Sequence, residues 1–102
     1  MVFEIAQIDV IQGSEAEFEA AVAKAKPLFL RSKGCQGLDL VRSVEKPCRY
    51  RLLVRWATVE NHTVDFRNSP EFTEWRALAS PFFAAPPEVE HAEPVELAAS
   101  AL

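Results

Sequence analysis

Glycine and cysteine are scarce in this 102-residue chain, which has three glycines and two cysteines. Three scattered glycines do not form a glycine-rich phosphate loop, so the common nucleotide-binding motifs are excluded. Cys35 and Cys48 lack a metal-binding spacing, and two thiols alone cannot complete a tetrahedral zinc site. They are predicted to lie at opposite ends of a hairpin, too far apart for a disulfide, and we expect two free thiols.

Positive charge is also in short supply, since 11 Lys and Arg face 15 Asp and Glu and leave a net charge of −4. This balance offers no basic surface for nucleic acid or for an anionic membrane. The first residues contain acids and lack the basic start of a signal peptide, and no apolar run approaches the roughly 18–20 residues that span a bilayer. We therefore expect a cytoplasmic protein.

The first half of the chain has the periodicities of a strand, a helix and a hairpin. Val2–Ile11 is rich in β-branched residues and predicts a strand. Ser14 begins the capping-box pattern SEAE, and apolar residues then recur at spacings of three and four, which predicts a helix. Pro27 is expected to kink or shorten that helix. Leu38–Val44 and Arg49–Ala57 flank a turn and predict a β-hairpin.

The second half predicts a broken helix followed by a strand. Thr58 is a candidate N-cap for a short helix that ends near Arg67, and Ser69 followed by Pro70 predicts a second helix. In the segment EVEHAEPVEL, alternate residues fall on one side of a predicted last strand: Val89, His91, Val95 and Leu97. Pro94 makes this strand an edge or a bulged strand.

The order βαββαβ predicts an α+β fold, a ferredoxin-like sandwich with a four-stranded antiparallel sheet and helices on one face. One domain over residues 1–97 and a loose tail over 98–102 are expected. The other sheet face carries Val41, Arg51, Leu53 and Arg55, and pairing it with a second copy buries it, so we expect a twofold homodimer. Arg51 and Arg55 are expected to form salt bridges across that dimer with acids such as Asp9 and Asp39.

Four short motifs then point to a known family. They are LLVRW ending at Trp56, ENH around His62, FRNSPEF at Phe66–Phe72 and PPEVEH at Pro86–His91. In order and spacing the chain resembles the antibiotic biosynthesis monooxygenase domain of the dimeric α+β barrel superfamily. The resemblance implies a homodimer with a pocket between sheet and helices in each subunit. Characterised relatives include cofactor-independent oxygenases of anthrones and quinols, haem-degrading enzymes and an isomerase.

The haem-degrading branch of that family does not match this chain. Its pattern needs an Asn in the first strand, a Trp before the NS step and a His on the following helix. The corresponding positions here hold Ala6, Phe66 and Arg76, so haem degradation is disfavoured.

The two histidines are the candidate catalytic groups. Cofactor-free oxygenation needs an apolar pocket and one base that removes a proton from a phenol or enol. Neutral imidazole suits that role. His62 lies three residues after Val59 and four before Phe66, on the apolar side of its helix, and His91 alternates with Val89 on the last strand. The alternative is that both are core histidines with satisfied hydrogen bonds. No metal-ligand spacing is present, so no metal is predicted.

Aromatic side chains are the candidate pocket wall for a small hydrophobic or aromatic molecule. The set is Tyr50, Trp56, Phe66, Phe72, Trp75 and Phe83. Their alternative role is ordinary core packing, and Tyr50 could also donate a hydrogen bond to an oxyanion.

The sequence thus favours a cofactor-independent monooxygenase that uses O₂ on a quinol, anthrone or similar enolisable aromatic substrate. Two alternatives stay open: an isomerase or tautomerase of a small metabolite, and a non-catalytic dimer that binds a small ligand. None of these three functions needs a cofactor.

Overall fold

The computed structural model describes residues 1–98. This part of the chain contains four strands, two α-helices, a π-helical segment and a short 3₁₀ turn. The elements are β1 (Val2–Asp9), α1 (Glu15–Leu30), β2 (Cys35–Arg42), β3 (Arg49–Trp56), a π-helical segment (Asn61–Phe66), α2 (Pro70–Ala79), the 3₁₀ turn (Ser80–Phe82) and β4 (Glu88–Ala92). This is the predicted βαββαβ order.

The four strands form one antiparallel sheet in the order β2-β3-β1-β4, which confirms the ferredoxin-like α+β fold. Alternate residues of β1 and β3 are buried because one sheet face packs against the helices. Tyr50, Leu52, Val54 and Trp56 are the buried set on β3, and each is at most 1% exposed. The core therefore lies between the sheet and the helix layer.

β4 is shorter than the sequence predicted. It ends at Ala92, and Val95 and Leu97 are 79% and 83% exposed, so the expected continuation of the strand to Leu97 is wrong. Proline has no N–H for the sheet ladder, which is consistent with a strand that stops before Pro94. Of the predicted tail, residues 99–102 lie outside the described part of the chain.

α1 begins differently from the predicted capping box. Ser14 occupies the N-cap position, but its side chain makes no capping hydrogen bond. Instead the Gly13 N–H donates to the Glu15 carboxylate, at 3.1 Å and 3.2 Å to its two oxygens. The helix also continues through Pro27 to Leu30, so this proline does not end it.

The hairpin and the start of α2 agree with the sequence. β2 and β3 pair in antiparallel fashion, with a bulge between Cys35 and Gly37. Both cysteines are free thiols, as predicted. The Ser69 hydroxyl accepts the Phe72 N–H at 3.3 Å and Pro70 is the first residue of α2, as the Ser-Pro pair indicates.

Three arginines on the sheet face opposite the helices have polar partners within the same chain. Arg55 donates to Asp39 at 2.9 Å and Arg49 donates to Asp9 at 2.8 Å. Arg51 donates to Gln7 at 3.2 Å. Asp39 and Asp9 thus have intrachain partners, unlike the expected pairing across a dimer. Leu53, at the centre of this face, is half-buried in the single chain.

The homodimer stays a prediction, and Leu53→Asp tests it. A carboxylate in the middle of a buried interface costs several kcal/mol of association free energy, so we expect light scattering at micromolar concentration to show a dimer for the wild type and a monomer for the variant. Val44→Asp is the matched control, because Val44 is 87% exposed in the hairpin turn. A monomeric wild type contradicts the prediction.

Candidate functional site

A cavity of about 300 Å³ lies between the sheet and the helix layer. Strand, π-helix and α2 all contribute to its wall, which is mainly apolar and aromatic. The lining residues are Glu4, Ala6, Ile8, Leu52, His62, Phe66, Arg67, Phe72, Trp75, Arg76, Phe83, Pro87 and Val89.

Glu4 supplies a carboxylate at this cavity although it belongs to the core face of the sheet. It shares that face of β1 with Ala6 and Ile8 and is only 5% exposed. Its Oε1 accepts a hydrogen bond from Trp56 Nε1 at 3.0 Å and lies 3.3 Å from His62 Nε2. A buried carboxylate with two such neighbours is expensive to desolvate and is characteristic of functional sites.

The two imidazoles meet beside this carboxylate. His91 on β4 lies directly across the antiparallel ladder from Glu4, because the register pairs these two residues. His62 Nδ1 is 2.8 Å from His91 Nε2, a hydrogen-bond distance. Glu4, His62 and His91 therefore form a continuous polar chain, which we call the Glu-His-His chain.

Burial sets the ionisation of the chain at neutral pH. Desolvation raises the pKa of Glu4 to about 7, although the Trp56 hydrogen bond and the charge of Arg67 partly oppose the increase. Desolvation also lowers the pKa of His62 to about 4, and the positive charges of Arg67 and His91 act in the same direction. His62 is therefore neutral near pH 7 while Glu4 is about half ionised, so their contact is not a fixed ion pair.

Two proton arrangements fit the observed distances. With Glu4 ionised, His62 carries its proton on Nε2, towards the carboxylate, and Nδ1 accepts a hydrogen bond from the His91 Nε2–H. With Glu4 protonated, the tautomer of His62 is reversed and Nδ1 donates to His91. Gaining a proton at Glu4 is thereby coupled to the tautomer of His62 and to the hydrogen bond with His91.

The π-helical segment places His62 at the cavity. Its widened turn is seen in the hydrogen bond from the Arg67 N–H to the His62 carbonyl, five residues back, at 3.1 Å. The Trp56 ring stacks on the His62 ring at 5.6 Å between centroids and 20° between planes. Stacking and the polar chain together fix the imidazole, which is 3% exposed.

Asn61 anchors the start of that segment. Its Oδ1 accepts the Thr58 N–H at 3.1 Å, and its own N–H donates to the Thr58 hydroxyl at 3.1 Å. Its Nδ2 also donates to Asp65 at 3.1 Å. This reciprocal arrangement resembles a capping box and fixes where the turn that carries His62 begins.

The structure divides the predicted pocket residues into two groups. His62, Phe66, Phe72, Trp75 and Phe83 line the cavity. Trp56 is fully buried and contacts the cavity residues from behind, through its hydrogen bond to Glu4. His91 reaches the site through His62.

Tyr50 lies away from the cavity. Its hydroxyl donates to Glu19 at 2.6 Å, and its ring packs 4.9 Å from that of Phe18. Burial is the main cause that raises the pKa of the Tyr50 hydroxyl to about 12, and the hydrogen bond to Glu19 acts in the same direction. The hydroxyl is engaged elsewhere in the core, so the suggested oxyanion contact is wrong for Tyr50.

Three charged cavity residues were not identified from the sequence: Glu4, Arg67 and Arg76. For Glu4 a signal existed, because the two-residue period of β1 places this carboxylate on the same face as Ala6 and Ile8. The arginines had no comparable signal, since their positions depend on the π-helical turn and on the packing of α2.

Within residues 1–98, no group of three His, Cys, Asp or Glu side chains, the Glu-His-His chain included, is arranged so that it could hold a metal ion. The helices of this same part of the chain are all too short or too polar to cross a membrane.

Comparison with known proteins places this fold in a family. The model of the family described as antibiotic biosynthesis monooxygenase matches residues 1–78. The uncharacterised protein YczJ of Bacillus subtilis (strain 168) is 41% identical over 95 residues, which cover 93% of this chain and 100% of that protein.

Solved structures show the same likeness. A candidate antibiotic biosynthesis monooxygenase from Bordetella bronchiseptica has a TM-score of 0.92 and 55% identity, covering 93% of this chain and 97% of that one. A mutant of SnoaB, a cofactor-independent oxygenase from Streptomyces nogalater, has a TM-score of 0.80 over 94% of both chains but only 20% identity, and shares the fold alone.

The sheet order and the cavity between sheet and helices define a small ferredoxin-like α+β protein. With the match over residues 1–78 and the relatives above, the chain belongs to the antibiotic biosynthesis monooxygenase family.

Proposed function

We propose that this protein is a cofactor-independent monooxygenase of a quinol, anthrone or similar enolisable aromatic substrate. The observation that carries the proposal is the buried pair formed by Glu4 and His62 at an aromatic-walled cavity. A carboxylate with a pKa of about 7 is well matched to accepting protons at neutral pH. The substrate ring packs against Phe66, Phe72 and Trp75, with its acidic proton towards the pair.

The proposed reaction begins with transfer of that proton to Glu4. The resulting carbanion or phenolate is rich in electrons, reduces O₂ and combines with it to give a peroxide on the ring carbon. For an anthrone the reactive CH₂ becomes C=O, one oxygen atom enters the product and the other leaves as water. Apolar walls exclude bulk water and favour electron transfer over premature reprotonation.

His62 and His91 are proposed to return the proton to solvent. Once Glu4 is protonated and His62 carries its proton on Nδ1, the carboxyl proton passes to His62 Nε2 while Nδ1 passes its proton to His91 Nε2, 2.8 Å away. His91 then releases its other ring proton, from Nδ1, to water, and Glu4 is again a carboxylate. His91 is more exposed than its two partners and lies on the edge strand β4, so it can exchange with water. The Glu-His-His chain would thus reset the base after each turnover.

Oxygen uptake tests the proposal. Purified protein is mixed with a panel of quinols and anthrones in an oxygen electrode, and we expect uptake above the rate of buffer with at least one of them. Absence of uptake with the whole panel contradicts the proposed reaction.

His62→Ala is expected to leave the oligomeric state unchanged and to lower the turnover number by roughly 10²-fold or more, because the path between Glu4 and His91 is interrupted. Light scattering and oxygen uptake measure the two effects, and His62→Gln keeps a polar side chain of similar size as a second variant. If the main effect of both variants is unfolding, detected by circular dichroism, His62 has a core role instead.

Isomerisation is the second candidate, because a base that removes a proton from one carbon can return it to another. The Glu-His-His chain fits this reaction as well. Product formation without oxygen consumption would separate the isomerase from the monooxygenase, and ligand binding without any turnover would favour a non-catalytic binding dimer.

A further inference from the structure

Two arginines at the cavity have no carboxylate partner among residues 1–98. Arg67 and Arg76 both line the cavity and are exposed to solvent. The other arginines of the chain are engaged: four form salt bridges, Arg31 with Glu71, Arg42 with Glu19, Arg49 with Asp9 and Arg55 with Asp39, and Arg51 donates to Gln7. In a chain with a net charge of −4, two unpaired guanidinium groups at one cavity are a local reversal of charge.

Both arginines form part of the cavity wall. The positive charge of Arg67 lowers the pKa of Glu4 and of His62, so its field extends to the buried end of the cavity. The guanidinium carbon of Arg76 lies 5.8 Å from the centre of the Phe83 ring, which is itself part of the wall. A cation–π contact of this kind holds the side chain at the cavity and leaves its N–H groups available.

We propose that the cavity binds an aromatic molecule that carries a carboxylate, with Arg67 and Arg76 as the residues that bind this anionic group. The aromatic wall accommodates the rings, and guanidinium groups bind carboxylates through charge-assisted and often paired hydrogen bonds. The inference rests on the proposed function only in taking this cavity as the substrate site.

The arrangement of charges also orients such a molecule. Glu4 is the one carboxylate that lines the cavity within residues 1–98, and it repels a second carboxylate. The anionic group therefore lies at the exposed arginines, and the enolisable end of the ring system points towards Glu4. Neutralising Arg67 would remove a charge that lowers the pKa of Glu4, so bound substrate makes this carboxylate a stronger base.

Paired ligands test the charge requirement. Isothermal titration calorimetry at pH 7 compares 3-hydroxy-2-naphthoate with 2-naphthol, which has the same rings without the carboxylate. We expect the naphthoate to bind about 100-fold more tightly, because each of two charge-assisted hydrogen bonds contributes about 10-fold. Added salt should weaken naphthoate binding and leave naphthol binding nearly unchanged.

Arg67→Gln and Arg76→Gln are each expected to reduce naphthoate affinity about 10-fold and to leave naphthol affinity unchanged. Arg31→Gln is the matched control, because Arg31 is an exposed arginine outside the cavity. Both cavity arginines are at the surface, so the variants should fold, and circular dichroism checks this.

Equal affinity for the two ligands, no binding of either at millimolar concentration, or an unchanged preference in both arginine variants would overturn the inference. A clear naphthoate preference without oxygen uptake on any carboxylated substrate would overturn the proposed oxygenation and leave this inference standing.

Discussion

Glu4→Gln is expected to lower the turnover number of the wild-type reaction by roughly 10²–10⁴-fold, the usual contribution of a general base. Glutamine has the same shape and keeps an oxygen acceptor for the Trp56 N–H, but it cannot take a proton. Steady-state oxygen uptake of variant and wild type on the same substrate measures the effect.

The pH profile separates a base from a merely structural residue. Because only the ionised carboxylate accepts a proton, kcat/KM of the wild type should rise as the pH increases through about 7 and then level off. The variant should lack this rise. Glu74→Gln, an exposed acid of α2, is the matched control and should keep both the rate and the profile. A Glu4→Gln enzyme with the wild-type profile would contradict the assignment.

Glu4→Gln lowers activity, but it is expected to increase stability at pH values above 7. The carboxyl of Glu4 releases its proton near pH 4.5 in an unfolded chain and near pH 7 in the folded one. The folded state thus binds more protons in this window, and its stability falls as the pH rises through it, by on the order of 3 kcal/mol. Glu4→Gln removes this loss. In urea unfolding above pH 7, the free energy of unfolding of the variant should therefore exceed that of the wild type.

Gly34→Ala is expected to destabilise the protein by about 3 kcal/mol and to disturb the site, although Gly34 does not line the cavity. Its φ angle of +79° lies in the left-handed region, where alanine is strained by about 1–2 kcal/mol. A Cβ atom there would also overlap Asn61 Oδ1. Asn61 must then move and lose hydrogen bonds that fix the start of the π-helical segment.

Gly13→Ala is the control for the backbone strain alone. Gly13 also has a positive φ, +95°, but an added Cβ meets no atom within 4 Å. Urea unfolding should show the larger loss for Gly34→Ala, and oxygen uptake should fall only in that variant, because His62 follows Asn61. Equal effects of the two substitutions on stability and activity would contradict the role given to Asn61.

The fold followed from the sequence because its signals are local. The two-residue period of β3 and the Ser-Pro start of α2 each depend on neighbouring residues, and the structure agrees with both. Where a feature depended on competition between local groups, prediction failed. Glu15, not Ser14, provides the side-chain acceptor next to the start of α1, and β4 stops at Ala92.

Only part of the candidate site could be predicted from the sequence. Inward positions on a helix and a strand identified His62 and His91, and the structure places the two rings in contact. The β-branched residues of β1 predict a strand but do not by themselves indicate that Glu4 lies on its buried face. The positions of Arg67 and Arg76 at the cavity could not be predicted from local sequence, because a π-helical turn shifts every later side chain relative to its place in an α-helix.

The most direct test of the account is whether the cavity removes a proton from an enolisable substrate before any oxygen reacts. An anthrone is mixed with excess protein at pH 8 under argon, and the absorption band of its anion is recorded. We predict a band with the wild type, a much weaker one with Glu4→Gln, and loss of the wild-type band when O₂ is admitted. No anion band with the wild type, or equal bands with both proteins, would contradict the account.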